Sequence, residues 1–366
     1  MRLLRLDIHD LRCLQSVTLE PEARLNLITG PNGAGKTSVL EAIHLLGYGR
    51  SFRCRVRDGL IRTGAPAVAV FAESASADAT LVRRIGLRHA GSTWEGRLDG
   101  AGVQQLGDLC AALAVVTFEP GSHALVTGGG EPRRRQLDWG LFHVEHGDPS
   151  AAFLSHWRRY HRALKQRNRL LKAGAIHSDQ LDAWDHELAQ SGEALTRSRL
   201  HYLDRLLSPL QQVSGQLSPM LGLASLQYQP GWPRESLDLA DSLLLARDRD
   251  LQHGHTSVGP HRADWRIAHA ALPGGEALSR GQAKLVALSL LLAQARLHGD
   301  STGHWPIILL DDLASELDRQ HQSRVLQQLQ DSGAQVFLTG TEQPEAVQTL
   351  GLQPRMFHVE QGRISA

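Results

Sequence analysis

The sequence is poor in cysteine, and this shortage excludes two classes of protein. Its 366 residues include three cysteines, Cys13, Cys54 and Cys110, which are odd in number, widely spaced and without a CxxC pair. A disulfide framework and a cysteine-based zinc site do not fit this pattern. We therefore expect a protein of a reducing compartment.

Long apolar runs are also missing. No stretch approaches the roughly 18 apolar residues that a membrane-spanning helix needs, and the segment Met1-Arg2-Leu3-Leu4-Arg5 carries charge too early for a signal peptide. These features predict a cytoplasmic protein without membrane association. The formal net charge is +1, so any affinity for nucleic acid must come from local basic patches.

What the sequence does contain is a glycine-rich segment at residues 30–37, between an apolar run at 25–29 and a helix-like segment at 38–43. The order predicts a strand, a loop and a helix, and the segment matches the GxxxxGK[ST] phosphate-binding loop. Its glycines let backbone N–H groups turn toward phosphate oxygens beside the helix N-terminus. The residues predicted to bind a nucleoside triphosphate are Gly30, Pro31, Asn32, Gly33, Ala34, Gly35, Lys36 and Thr37.

Lysine and asparagine are also rare, and their positions indicate which nucleotide binds and how. Only four of the 39 Lys and Arg residues are lysine, and Lys36 is one of them. An arginine fork cannot replace a compact ammonium between two phosphates, so we expect Lys36 to reach the β and γ phosphates. None of the three asparagines precedes a lysine. The pattern that recognises guanine is therefore missing, and ATP is favoured over GTP.

The apolar run Ile307-Ile308-Leu309-Leu310 ends in Asp311-Asp312, as a Walker B strand does. A buried strand of this kind delivers carboxylates to the sheet edge where ligands bind. We predict that Asp311 and Thr37 hold Mg²⁺, and that Asp312 orients or deprotonates the attacking water. Asp312 and Lys36 are thus the predicted catalytic residues. Because aspartate is one methylene shorter than glutamate, we expect slow ATP hydrolysis.

The segment 278–282 reads Leu-Ser-Arg-Gly-Gln and opens a helix-like stretch about thirty residues before the two aspartates, which Ala314-Ser315-Glu316-Leu317-Asp318 closely follows. These stretches resemble the signature motif and the D-loop of the ATP-binding-cassette (ABC) superfamily. The resemblance implies that two heads close around two ATP molecules. It also implies that three residues complete the site of a second subunit: Ser279, Gly281 and Gln282.

Residues 49–53 with 58–61, 132–138 and 254–262 narrow the resemblance further. Together with the signature and the paired aspartates, they make the sequence similar to the RecF family of bacterial DNA replication and repair proteins. The chain departs from that family around Arg12, where an aromatic neighbour is usual. The resemblance implies an ATP-dependent homodimer that binds DNA at single-strand gaps. With RecR and RecO, such a dimer promotes the loading of RecA.

A basic segment lies between residues 149 and 178, which contain seven Lys or Arg and no Asp or Glu. Apolar residues recur there at helical spacing, so the charges are expected on a long helix. Such a stripe suits duplex phosphates without sequence preference, although a solvated helix face is the alternative. The predicted DNA-binding residues are Arg158, Arg162 and Lys165, with a second patch of Arg133, Arg134 and Arg135 that a plain surface loop explains equally well.

The predicted fold is α/β: an ABC-type P-loop ATPase head with an appended antiparallel β subdomain and an inserted α-helical arm. The head comprises residues 1–145, with the phosphate loop and the β subdomain, and residues 236–366, with the signature, Walker B and D-loop segments. The arm spans 146–235 and should contain two long antiparallel helices that meet at Ala173-Gly174. A further helix is predicted at 237–250 and strands at 68–71, 114–118 and 265–268.

The favoured function is that of an ATP-dependent DNA repair protein whose ATPase acts as a switch. The alternatives are a structural DNA ATPase of the SMC or Rad50 type, a P-loop small-molecule kinase and a transporter ATPase. An SMC protein needs hundreds of heptad residues between its head halves, whereas this insert is roughly a hundred residues long. A kinase has no use for a signature motif, and a transporter subunit normally has Glu after its Walker B Asp.

Overall fold

The chain forms two compact units, which we name the head unit (1–122 with 278–366) and the helical unit (123–277). The computed structural model describes residues 1–22, 24–53, 59–76, 81–145, 153–173, 178–272 and 278–365. Cys54, Asp58, Gly174 and the predicted first residue of the arm, 146, lie outside these ranges. The predicted arm falls within the helical unit, which is wider and also takes in 123–145 and 236–277.

The head unit begins with eight strands and two helices. In chain order they are β1 (Arg2–Leu11), β2 (Leu14–Leu19), β3 (Leu25–Thr29), α1 (Lys36–Tyr48), β4 (Val68–Ala75), β5 (Val82–Ala90), β6 (Thr93–Leu98), β7 (Ala101–Gly102), α2 (Leu106–Ala111) and β8 (Val115–Phe118).

The helical unit follows and is built mainly of helices. Its elements are α3 (Ala124–Thr127), α4 (Gly130–Glu145), α5 (Phe153–Ala173), α6 (Ser178–Leu217), β9 (Ala224–Gln229), α7 (Leu239–Leu245), α8 (Arg247–His253) and β10 (Asp264–His269).

The chain then completes the head unit. These elements are α9 (Arg280–Thr302), β11 (Ile307–Leu310), α10 (Leu313–Glu316), α11 (Arg319–Ser332), β12 (Val336–Gly340), α12 (Glu345–Thr349), β13 (Arg355–Glu360) and β14 (Arg363–Ser365).

Two sheets organise the head unit. The first has the order β2-β1-β4-β5-β6-β7 with antiparallel neighbours, and it is the predicted β subdomain. The second has the order β14-β13-β3-β12-β11-β8, in which every pairing except β13 with β14 is parallel. Strands β11 and β12 are buried along their whole length, as expected for central parallel strands.

Helix α1 is buried on nearly all sides, from Ser38 to Gly47. A helix buried all round belongs in a core rather than on a surface. The side chains of α1 join a cluster that also contains residues of both sheets, among them Leu6, Ile28 and Leu309. This packing fixes the N-terminus of α1 at the end of β3, where the glycine-rich loop lies.

In the helical unit, α5 and α6 pack against each other in antiparallel directions, as predicted. The ring of Tyr160 lies against Gly192, and further along α5 the guanidinium of Arg167 binds Asp185, which precedes Gly192 on α6. The single helix predicted at 237–250 is instead two helices, α7 and α8, separated at Ala246.

Two cysteines lie in the described residues, and both are free thiols. Cys13 is exposed and Cys110 is buried. Among the described helices, none combines the length and the apolar character needed to cross a membrane.

Candidate nucleotide-binding site

The loop at residues 30–37 turns tightly between β3 and α1, and two of its glycines are required by close approach. Gly30 has φ 148°, and a Cβ there would lie 2.1 Å from the carbonyl oxygen of Val359. Gly35 has φ 118°, and a Cβ there would lie 2.9 Å from Cys13 Sγ. Gly35 also caps α1 without a side-chain hydrogen bond. The first N–H groups of the helix can therefore face an anion.

The ammonium of Lys36 lies across this loop. Its Nζ atom donates to the carbonyl oxygens of Gly30 at 2.8 Å and Pro31 at 2.9 Å. None of the described carboxylates forms an ion pair with it. Because Lys36 is held by neutral carbonyls and not by an ion pair, its ammonium is available to phosphate oxygens.

The two Walker B aspartates are tied to the loop and to β12 by hydroxyl groups. Asp311 Oδ1 accepts hydrogen bonds from Thr37 Oγ1 at 2.9 Å and from Thr339 Oγ1 at 2.7 Å. Asp311 is buried, and burial raises its pKa, an effect that these two hydrogen bonds oppose. The backbone N–H of Asp312 donates to the same Thr339 hydroxyl at 2.9 Å. One threonine thus fixes both aspartates.

Asp312 has the left-handed backbone conformation, with φ 51° and ψ 45°. A residue with a Cβ adopts this conformation at a cost of about 1–2 kcal/mol. The cost is tolerated where the surroundings impose it, which is common at functional sites. Here the chain must leave the buried strand β11 and start α10 directly, and Asp312 at the bend is one of the residues that line the pocket.

Five of the eight predicted loop residues and both Walker B aspartates line a pocket of about 240 Å³, whereas Gly30, Pro31 and Ala34 are not among its lining residues. The described residues that line it are Arg12, Cys13, Asn32, Gly33, Gly35, Lys36, Thr37, Ser38, Arg53, Asp311, Asp312 and Thr339. Ser279, Gly281 and Gln282 are not among these lining residues. The structure therefore brings the phosphate loop and Walker B residues together and leaves the signature residues apart from them.

A buried carboxylate on α1 binds one of the two arginines that line the pocket and lies near the other. Glu41 has no exposed surface and accepts two hydrogen bonds from Arg12, at 2.8 and 3.0 Å, and one from the Ser51 hydroxyl. Arg53 lies 3.9 Å from the same carboxylate. Thr339, Glu41 and Arg53 were not predicted as site residues. An acid inside the apolar segment after the phosphate loop was the one signal for Glu41.

The donors at this site suit Mg²⁺. Thr37 and Asp311 offer hard oxygen atoms 2.9 Å apart at the mouth of the phosphate loop. No group of three or more His, Cys, Asp or Glu that could hold a metal occurs among the described residues. Mg²⁺ characteristically binds one or two protein oxygens and completes its shell with phosphates and water.

The predicted signature residues form the exposed first turn of α9. Ser279 is the N-cap, and its hydroxyl accepts from the Gln282 N–H at 3.2 Å. The Gln282 side chain accepts in return from the Ser279 N–H at 2.9 Å, which completes a capping box. Ser279 and Gly281 are both exposed. The turn is therefore rigid and accessible to a second molecule.

The predicted arm residues Arg158, Arg162 and Lys165 lie on α5 and are all exposed. Arg169 and Lys172 continue the series at intervals of three and four residues, so the five cations share one helix face. We name these five residues the cationic face of α5.

The second predicted patch lies on α4 rather than in a loop. Arg133 is buried, and its guanidinium binds both carboxylate oxygens of Asp264 at 2.7 and 2.8 Å. Its charge is consumed within the unit, which corrects the prediction that Arg133 contacts DNA. Arg134 donates to the Ala263 carbonyl at 2.6 Å, and the exposed Arg135 pairs with Glu131.

Comparison with known proteins agrees with this architecture. A family model described as the RecF/RecN/SMC N terminal domain matches residues 2–365. The DNA replication and repair protein RecF of Xanthomonas axonopodis pv. citri is 60% identical over 368 residues, which cover 100% of this chain and 98% of that protein. The chain belongs to the RecF family.

Solved structures extend the match to three dimensions. The RecF-family recombination mediator solved with ATP matches with a TM-score of 0.87 at 26% identity, covering 99% of this chain and 96% of that one. An Smc head matches with a TM-score of 0.59 at 14% identity, covering 100% and 96%. The second likeness shows the fold alone. Both confirm the predicted fold of the head.

Proposed function

We propose that this chain is an ATP-dependent DNA-binding protein of recombinational repair and replication-fork maintenance, in which ATP joins two copies on DNA. One observation carries the proposal. The phosphate loop and both Walker B aspartates line one pocket, whereas the exposed signature turn of the same chain does not. A nucleotide site completed by a second copy accounts for both halves.

Within the pocket, the backbone of residues 30–37 and Lys36 would bind the phosphates of ATP. Thr37 and Asp311 would hold Mg²⁺, which supplies charge neutralisation at the phosphate oxygens when bound. The capped turn with Ser279, Gly281 and Gln282 would contact the ATP of the partner copy. Two molecules that each contribute half of each site can close only when ATP is present.

Asp312 would orient the attacking water and accept its proton. Its backbone is fixed by the strained conformation and by the Thr339 hydroxyl, so the carboxylate cannot move freely to make up for its short side chain. We therefore expect slow turnover, stimulated by DNA, in which hydrolysis ends the dimeric state.

The cationic face of α5 supports binding to DNA. Arg158 and Lys172 are fourteen residues apart, which is about 21 Å along a helix and places five positive charges within reach of several phosphates. Phosphate contacts do not read sequence, so we expect binding to all sequences alike. Membership of the RecF family supports action at single-strand gaps, with RecR and RecO as partners in loading RecA.

Dimerisation measured by light scattering tests this proposal. The Asp312→Asn variant should form a stable dimer with ATP, since the nucleotide binds and is not hydrolysed. Duplex, single-stranded and gapped DNA added in turn should show which form strengthens the dimer. The Lys36→Ala variant is the control and should remain monomeric.

An Asp312→Asn protein that stays monomeric with ATP and every DNA would overturn the switch. If ATP consumption responded to a small acceptor and ignored DNA, the kinase alternative would replace it.

A further inference from the structure

An ion pair joins the signature helix to the helix that follows the Walker B aspartates. Lys284 lies in the first turns of α9, and its Nζ atom is 2.7 Å from Oε2 of Glu316, the last residue of α10. The side chains are 26% and 11% exposed, so the pair is largely shielded from water. Lys284 is also one of only four lysines in the chain.

Helix α10 needs such an anchor because it is too short to be stable alone. It spans Leu313–Glu316, and an isolated turn of this length is disfavoured by its nucleation cost. Buried Leu313 fixes its first residue to the core. At its other end, Lys284 is the cation paired with Glu316 among the described residues.

The contacts form a continuous series from the pocket to the exposed turn. Thr37 binds Asp311, and Thr339 binds both Asp311 and the N–H of Asp312. Asp312 starts α10, which ends at Glu316. The pair then reaches Lys284, two residues beyond Gln282 and its capping box with Ser279.

We propose that the Lys284–Glu316 pair is a positioning element that holds α10 and the signature turn as one body, so that the order of one copy's own nucleotide pocket is transmitted to the surface it offers the partner's ATP. The inference rests on the shared site of the proposed function. It concerns how each copy presents its half, and neither residue touches the nucleotide.

An exposed ion pair without a positioning role would not affect dimerisation when it is removed. Exposed ion pairs contribute little, because water screens them and ordering two long side chains opposes them. On the same helix, Arg296 and Asp300 lie 4.0 Å apart with side chains 38% and 65% exposed. This pair is a matched control, since it also involves a cation on α9 but lies outside the series of contacts.

The test is a double-mutant cycle of Lys284→Met, Glu316→Gln and the double variant, with Arg296→Met as control. The affinity of the isolated copy for a fluorescent ATP analogue should stay within about twofold of wild type. The ATP-dependent dimer dissociation constant, measured by sedimentation, should rise roughly tenfold in each single variant and no further in the double variant. Amide hydrogen exchange at 313–317 should become faster in the isolated copy.

Unchanged dimerisation in both single variants would overturn the inference, as would additive effects or an equal effect of Arg296→Met. The two hypotheses can fail separately. A wild-type protein that does not dimerise with ATP removes the proposed function. Amide hydrogen exchange at 313–317 still tests whether the Lys284–Glu316 pair positions α10. Faster exchange in Lys284→Met would then support its positioning of α10, and unchanged exchange would remove that role too.

Discussion

Arg167 and Arg169 are two residues apart on α5, yet they face opposite environments. Arg167 has no exposed surface, and its guanidinium binds Asp185, Asp250 at 2.7 Å and the Thr256 hydroxyl at 2.9 Å. Arg169 is exposed and belongs to the cationic face. The same residue type therefore serves the packing of α5 on one side and the surface charge on the other.

This contrast separates charge that folding consumes from charge that is available to a ligand. On the buried side, two carboxylates neutralise one guanidinium, and the helices are locked by the geometry of that pair. Of the seven cations in this stripe, Arg159 pairs with Glu187 and Arg167 is internal, whereas the five of the cationic face are exposed. In the nucleotide pocket, Lys36 likewise carries a charge that is available to a ligand.

The largest expected effect is on the free energy of unfolding, when the buried ion pairs of Arg167 are removed. Arg167→Met removes the partner of Asp250, which is itself fully buried, and should lower the free energy of unfolding by about 3–5 kcal/mol. Arg169→Met is the matched control and should change it by less than about 0.5 kcal/mol. Denaturant unfolding followed by circular dichroism measures both. Equal unfolding curves for the two variants would remove the distinction.

The cationic face should dominate DNA binding. Replacing Arg158, Arg162 and Lys165 together by Gln should weaken binding to every duplex sequence, by about a hundredfold at moderate salt. The slope of log affinity against log salt should fall by about 3 in magnitude, near one for each lost phosphate contact. Fluorescence anisotropy over a salt series measures this.

A control for charge alone replaces three exposed arginines of the first sheet, Arg84, Arg88 and Arg97, by Gln. This control should leave the salt slope nearly unchanged. If the α5 variant kept the wild-type slope, the cationic face would be excluded from the DNA-binding surface.

The smallest effect concerns pH and the buried side of α5. His261 Nε2 donates to the Thr256 carbonyl at 3.0 Å, so Nδ1 is the acceptor for the Tyr160 hydroxyl at 2.7 Å. Burial lowers the pKa of His261 to about 4, although the bond to Thr256 opposes this shift. The unfolded chain, with a pKa near 6.5, binds the proton more readily between these values. Stability should therefore be full above pH 6.5 and decline toward pH 4.

His261→Gln should remove this part of the pH dependence, about 2 kcal/mol. Unfolding measured at pH 7 and pH 4.5 for both proteins gives the difference. An identical decline in the variant would show that other groups cause it. Tyr160→Phe is a useful companion, because it removes the hydroxyl that donates to Nδ1 and keeps the ring.

Local patterns were enough to place the elements that carry the site. The strand, loop and helix around residues 30–37, the buried strand ending at Asp311 and the helix beginning after Ser279 occur where spacing and apolar runs predict them. These features depend on near neighbours in the chain, and near neighbours are visible in a sequence. The helix predicted at 237–250 failed at Ala246, where no glycine or proline marks the break.

Contacts between distant residues could not be read in this way. Thr339 on β12 binds Asp311 at the end of β11. Arg12, in the turn between β1 and β2, binds Glu41 on α1. Arg133 looked like one of three equivalent cations until Asp264, far along the chain, was found to neutralise it. Burial and pairing depend on the sheet order and helix packing, which no local pattern specifies.

The phosphate loop, the paired aspartates, the signature turn and the basic helix are evident from the sequence, because each is a local arrangement of residue types. Which charges already have a counter-charge depends instead on the tertiary structure. It placed Lys36 among neutral carbonyls and Arg167 between two carboxylates. The reason is electrostatic: a charge is free to bind a ligand only where the fold gives it no counter-charge, and the carboxylates that bind Arg133 and Arg167 come from other elements of the fold.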